Sequence, residues 1–258
     1  MPLPSVAELR ATVHPPGLLD RDSGEHWAGR LYMRRLSPHV TRLFLHTPIT
    51  PNGVTWLMIA CGLAAGALLG VPGLLSAIGA VLLIQLQILF DCADGELARW
   101  KQTSSAVGVY LDRVGHFLTG AALPVGLGVR ADGGWNEIGG YTTLGLVTGL
   151  IVVLMWANSA LVAVARAEAG KPAVEDSRAV AAPRAAGLRR LRQIAGRLPV
   201  YRAFVAMETT LLALAAAIVD SATGDLTATR TLVVALVPLA ALIATGRLVA
   251  ILASSRLR

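Results

Sequence analysis

The sequence predicts an all-α, polytopic membrane protein: six transmembrane helices preceded by an N-terminal interfacial amphipathic helix. Three observations carry this. Of the 258 residues, 54% are hydrophobic and only 15% charged, and the mean hydropathy is +0.60, far above that of a water-soluble domain. The apolar residues fall in runs near or above the ~20 residues that span a bilayer as helix. The basic residues that give the net charge of +7 flank those runs instead of lining a soluble groove. That distribution excludes nucleic acid as a partner and favours anionic lipid headgroups and phosphates.

Taken in order, residues 1–53 are polar and punctuated by proline. Within them Trp27, Leu31, Val40, Leu43 and Phe44 alternate with Arg30, Arg34, Arg35 and Arg42, a pattern that suits a helix lying in the membrane interface; a plain basic tail is the competing reading. A membrane body, 54–258, follows, with spans at about 54–70, 73–98, 106–129, 138–165, 201–219 and 229–252. Thr50-Pro51-Asn52 supplies the start of the first span, and Gly70-Val71-Pro72-Gly73 forms a tight uncharged turn into the second. A short polar segment around Asp132, Gly133 and Gly134 links the third and fourth. The one long loop, 166–202, repeats Leu188, Leu191, Ile194 and Leu198 at helical spacing among arginines, which reads as a basic helix on the membrane surface.

The Lys/Arg asymmetry between loops places both termini, Arg99–Ser105 and the 166–202 loop in the cytoplasm, in the plasma or inner membrane of a bacterium. The N-terminus lacks a basic region followed by an apolar core, so no cleavable signal is expected. Cys61 and Cys92 lie in or beside apolar runs without metal-binding spacing and read as small hydrophobes.

The chemistry concentrates in FDCADGELARWKQTSSAVGVYLDRVGHF, where the second span ends and the third begins. Carboxylates in a membrane span cost several kcal/mol unless compensated and are candidates for function. Asp91, Asp94, Gly95 and Ala98 recur at i, i+3, i+4 and i+7 and share one helix face. Gly108, Asp112, Gly115 and His116 line one face of the next helix, and the short connection makes the two helices antiparallel neighbours. Three clustered carboxylates repel unless a cation neutralises them, and hard oxygen ligands favour Mg²⁺, Mn²⁺ or Ca²⁺ over zinc. Gly95, Ala98 and Gly108 leave the surface bare for a bulky phosphate ligand, and Arg99 is placed to meet it. The bland alternative is a helix pair held by Asp112 with Arg99 or Arg113. Glu96, on the opposite face from Asp91, reads as solvated; Glu208, inside the fifth span, reads as structural.

These residues resemble the motif of the CDP-alcohol phosphotransferases, D-x2-D-G-x2-A-R-x8-G-x3-D-x3-D. The chain gives Asp91-x2-Asp94-Gly95-x2-Ala98-Arg99-x8-Gly108-x3-Asp112-x3-His116, matching seven of eight positions with every spacing intact. The resemblance implies a cytoplasm-facing cavity in which Asp91, Asp94 and Asp112 hold divalent metal, Mg²⁺ or Mn²⁺ and two ions in number, against the pyrophosphate of a CDP-linked donor. Gly95, Ala98, Arg99 and Gly108 would line the cytidine and phosphate site. An acceptor alcohol would attack the β-phosphorus and CMP would leave, in phospholipid synthesis. The resemblance also implies a homodimer.

The departure is His116, where the family carries a fourth aspartate thought to deprotonate the acceptor. Three readings stand open: a general base working with Asp112 in the catalytic step, a metal ligand replacing the carboxylate, or the mark of a site that has lost transfer. Replacing a carboxylate by neutral imidazole removes one negative charge and weakens a second metal site. The membrane setting favours CDP-diacylglycerol as donor, and the arginines of the 166–202 loop favour a polar, phosphorylated acceptor such as glycerol phosphate or inositol phosphate. The competing functions are a diverged relative that binds CDP-lipid without turning it over, and a transporter. The clustering of the acids at one membrane face, without an internal repeat, argues against the latter.

Overall fold

The computed structural model describes residues 4–14, 27–172, 199–254 and 257. Among them every regular element is helical. In chain order these are α1 (Val6–Val13), α2 (Arg34–Phe44, entered through a π-turn at Gly29–Met33), α3 (Pro51–Leu69), α4 (Leu74–Lys101), α5 (Ala106–Asp132), α6 (Gly140–Glu168), α7 (Ala206–Thr223, preceded by a 3₁₀ segment at Pro199–Phe204) and α8 (Thr227–Ala253).

All six expected long helices are present, but only five are long and apolar enough to cross a membrane by length and composition: α3, α4, α6, α7 and α8. The exception is α5. Its 27 residues would reach ~40 Å as helix, yet it carries Asp112, Arg113, His116 and Arg130. The helix that holds half of the motif is the one whose apolarity the motif lowers. The fifth span begins later than the sequence suggests, at Ala206, because Pro199–Phe204 forms a tighter 3₁₀ segment before it. The basic helix expected at 188–198 lies outside the described residues.

Contacts divide the chain into two compact units. The first comprises Met1–Ala64 and Leu82–Thr119, the second Ala65–Val81 and Gly120–Arg258.

In the first unit, α1 is a short helix that the sequence did not announce. Ser5 and Glu8 form a reciprocal capping box at its start, and this hydrogen bonding holds the Glu8 carboxyl below its usual range. Leu9 and Val13 are fully buried, and α1 packs on α2. The expected interfacial helix is present as α2, and its faces are sorted in an informative way. Leu31, Leu36 and Leu43 are exposed, whereas Ser37 and Thr41 are fully buried. Val40 and Phe44 pack against the core of Val54, Ala93 and Leu97, so α2 turns hydroxyls and part of its apolar surface inward. Thr50 caps α3 as its sequence suggests, accepting from Gly53 N at 3.1 Å. A face of α3 built from Val54, Thr55, Met58 and Ile59 is buried. Gly115 of α5 admits that face: a Cβ there would stand 2.3 Å from Met58 Cε.

In the second unit, bare glycines let helices approach at backbone distance. A Cβ on Gly126 of α5 would lie 2.0 Å from the Gly66 carbonyl of α3, and one on Gly145 of α6 would lie 2.4 Å from the Pro124 carbonyl of α5. In a membrane, where lipid is as apolar as leucine, such small-residue packing replaces the hydrophobic drive between helices. Polar ends are closed by buried side chains. Arg130, 1% exposed, donates to the carbonyls of Val71 and Gly73 and to Ser76 Oγ, each within 3.1 Å, so it clamps the α3–α4 turn. Asp132 accepts from Gly139 N and Thr142 N and Oγ1 at the start of α6. Asp220 of α7 does the same for Ala228 N and Thr229 at the start of α8. The orphan N–H groups of two helix starts are satisfied this way. Two helix pairs, α6 with α8 and α7 with α8, complete this unit.

Candidate active site

The site lies wholly in the first unit. Gln87 of α4 donates to Thr119 of α5 at 3.1 Å, and one turn on, Asp91 of α4 meets His116 of α5. This confirms the antiparallel pairing of the two motif faces. His116 Nε2 stands 3.3 Å from Asp91 Oδ1 and 3.3 Å from Asp112 Oδ1. One donor atom from each of Asp91, Asp112 and His116 falls within a 4.8 Å compass.

Asp94 is placed differently. Its Oδ2 accepts from Thr55 Oγ1 of α3 at 2.6 Å, and it lies outside the tight trio. All three aspartates nevertheless line one cavity of about 300 Å³, together with Gly95, Ala98, Arg99 and Gly108. Every residue assigned to nucleotide and phosphate is therefore on its wall. His116 is not among the lining residues; its side chain is 47% exposed.

The remaining walls are residues that the sequence reading left without a role. Asn52 and Thr55 come from the first turns of α3, and Thr103, Ser104 and Ser105 from the α4–α5 connection. Ser105 Oγ accepts from Gly108 N at 3.1 Å, so it caps α5 where the helix opens onto the cavity. A Cβ on Gly108 would sit 3.1 Å from Asn52 Oδ1. The signal for Asn52 was present in the Thr50-Pro51-Asn52 entry, which read as helix-start chemistry and as part of the family resemblance but not as a wall of the site; Thr55 had no such signal.

Two expectations change here. Glu96 is not solvated: it is fully buried and accepts from the Ser37 hydroxyl, from Thr41 Oγ1 at 2.7 Å and from His14 Nε2 at 2.7 Å, with Arg34 Nη1 at 3.9 Å. Helix periodicity placed it correctly opposite Asp91; what the sequence could not reveal is that α1 and α2 cover that face. Arg99 does not pair with Asp112 as the bland reading supposed. Its Nε donates to the Val13 carbonyl at 2.9 Å, and its two Nη atoms lie 3.3 and 3.5 Å from where a Cβ on Gly95 would stand. Lys101 Nζ donates to the Ile49 carbonyl at 2.9 Å. Glu208, in the first turn of α7, is half-buried. Cys92 is buried and Cys61 partly so, both free.

The donor set fits a hard divalent cation. Ligands at ~2.1 Å around an octahedral ion stand about 3 to 4 Å apart, the range that the trio's compass covers. The carboxylates suit Mg²⁺ or Mn²⁺, whereas the imidazole is a softer donor that hard Mg²⁺ does not favour.

Comparison with known proteins agrees with this geometry. The family described as CDP-alcohol phosphatidyltransferase matches residues 48–255, a stretch that contains every residue of the motif. No curated protein matches the chain.

Proposed function

The chain belongs to the CDP-alcohol phosphatidyltransferase family, and we propose that it moves a phosphatidyl group from CDP-diacylglycerol to a polar acceptor alcohol and releases CMP. The family and the apolar helices make it an integral membrane protein of phospholipid synthesis, transferring a phosphate from a CDP-alcohol. The observation that carries the finer reading is that Asp91 and Asp112, which line the cavity with Asp94, Gly95, Ala98, Arg99 and Gly108, converge with His116 within 4.8 Å.

The family uses divalent metal ions. Asp91, Asp94 and Asp112 would hold Mg²⁺ or Mn²⁺, which when bound offsets diphosphate charge and stabilises the leaving phosphate. Thr55 orients Asp94 by fixing one of its oxygens, the usual office of a partner behind a metal ligand. Arg99 and the bare surface of Gly95 and Gly108 receive the diphosphate. Ser105 turns the start of α5, with its partial positive charge, toward the same anion.

His116 is the base. Its Nε2–H is shared between the Asp91 and Asp112 carboxylates, which orient the ring and stabilise the imidazolium, and its Nδ1 takes the acceptor's proton; carboxylates hold catalytic histidines elsewhere in this manner. The acceptor oxygen bonds to the β-phosphorus, the bond from that phosphorus to the bridging oxygen breaks, and CMP leaves with the electron pair. The half-exposed side chain of His116 leaves the ring open to the acceptor. Convergence of the trio within 4.8 Å favours one competing role, Nε2 as a metal ligand, and the Mn²⁺ affinity of His116→Ala separates the two.

The proposal extends to a phosphorylated acceptor, a cytoplasmic site with both termini on the same side, and a homodimer. The test incubates purified protein, CDP-diacylglycerol and Mn²⁺ with glycerol phosphate, inositol phosphate and the unphosphorylated alcohols. Mass spectrometry of the lipid product should show a phosphatidyl group on a phosphorylated acceptor. A phosphatidyl product on the free alcohols alone would overturn that choice.

A further inference from the structure

Beyond the motif, the N-terminal segment reaches the active site by two routes that meet on a single turn of α4. The first route is Arg99. Its Nε is held by the carbonyl of Val13, the last residue of α1, at 2.9 Å. That bond turns the guanidinium across Gly95, where the two Nη atoms sit within 3.5 Å of a would-be Cβ. A Cβ at 95 would stand 3.3 Å from the nearer Nη, so the bare glycine gives the guanidinium room while one carbonyl of α1 sets its direction.

The second route is Glu96, three residues before Arg99. Its carboxylate is fully buried and takes donors from His14, Ser37 and Thr41, with Arg34 close by. All four partners belong to the N-terminal segment. A buried carboxylate costs several kcal/mol unless its lone pairs are filled, so Glu96 fastens these elements together or is left stranded. His14 is the next residue after Val13. The contact that neutralises Glu96 therefore fixes the carbonyl that orients Arg99. Leu9 and Val13, both fully buried, supply the apolar part of the same seat.

We infer that α1 backs the nucleotide site through its hold on Arg99 and that His14 and Glu96 are positioning residues for Arg99. The inference rests on the reading of Arg99 as a contact to the diphosphate. It assigns the N-terminal helix a part in donor recognition that lies outside the matched stretch 48–255, and so outside the motif.

The test measures CDP binding by calorimetry, in the presence of Mn²⁺, to the full-length protein and to His14→Ala and His14→Gln, with Mn²⁺ affinity measured separately. Glutamine can place an N–H near the position of Nε2. The expected result is CDP binding about five- to tenfold weaker in His14→Ala, the scale of one ordinary net hydrogen bond. His14→Gln should recover most of it, and Mn²⁺ affinity should be unchanged in both. Unaltered CDP affinity in His14→Ala would overturn the inference. Parallel loss of CDP and Mn²⁺ binding in both variants would also overturn it, because that is the behaviour of a purely structural residue. A wild-type protein that binds Mn²⁺ but no CDP would instead refute the nucleotide reading beneath it.

Discussion

His116 Nε2 stands 3.3 Å from Asp91 Oδ1 on the neighbouring helix and equally far from Asp112 Oδ1 on its own. The imidazole thus bridges the two halves of the motif. As a carboxylate-oriented base it should be indispensable yet replaceable by another base. His116→Ala should lower acceptor-dependent CMP release at least a hundredfold, whereas His116→Asp should retain or raise it. Full activity in the alanine variant would remove His116 from the proton transfer. A His116→Ala variant that loses Mn²⁺ binding together with activity would mark it as a ligand instead.

Thr55 should matter although it lies in no motif. Its hydroxyl holds Asp94 Oδ2 at 2.6 Å. Thr55→Val keeps the shape and removes the donor, so Mn²⁺ affinity should fall about 10- to 100-fold, as for other residues that orient metal ligands. Titration followed by electron paramagnetic resonance reads this directly.

Gly95→Ala should act on the donor and not on the metal. The new methyl would stand 3.3 and 3.5 Å from the Arg99 Nη atoms, so the guanidinium would have to give by a few tenths of an ångström and the bare surface facing the cavity would be filled. The expected outcome is an increase in KM for the CDP-linked donor of about tenfold, with Mn²⁺ affinity retained.

Glycines in the second unit separate packing from chemistry. On Gly126 a Cβ would lie 2.0 Å from the Gly66 carbonyl, and backbone cannot yield as a side chain does; around Gly246 of α8 the space is open. Gly126→Ala should destabilise by about 1–3 kcal/mol or more, seen as a lower Tm in detergent. Gly246→Ala should be neutral, or stabilising by up to about 1 kcal/mol from helix propensity.

How much of this was legible in the sequence differs residue by residue. Long apolar runs announce helices because the bilayer sets their length, and five of the six expected spans meet that criterion in the structure. The spacing from Asp91 to His116 gave the facing of α4 and α5, since residues three and four apart share a helix face and the connection between the helices is short. Asp94 shows the limit of that reasoning: periodicity put it with Asp91, but its partner Thr55 comes from a third helix that no spacing within the motif could indicate. Glu96 shows it more strongly. Its direction was right and its environment wrong, because burial by α1 and α2 depends on contacts across 55 to 82 positions of sequence. Helix α1 was missed because eight residues bounded by prolines are too few for a periodic signal.

The most direct test of the central claim is CMP release by the purified protein from CDP-diacylglycerol in the presence of a phosphorylated acceptor, with and without divalent metal. The account predicts CMP formation that requires both the acceptor and Mg²⁺ or Mn²⁺ and that disappears in Asp91→Asn and Asp112→Asn. A protein that binds CDP and Mn²⁺ yet releases no CMP with any acceptor would contradict it.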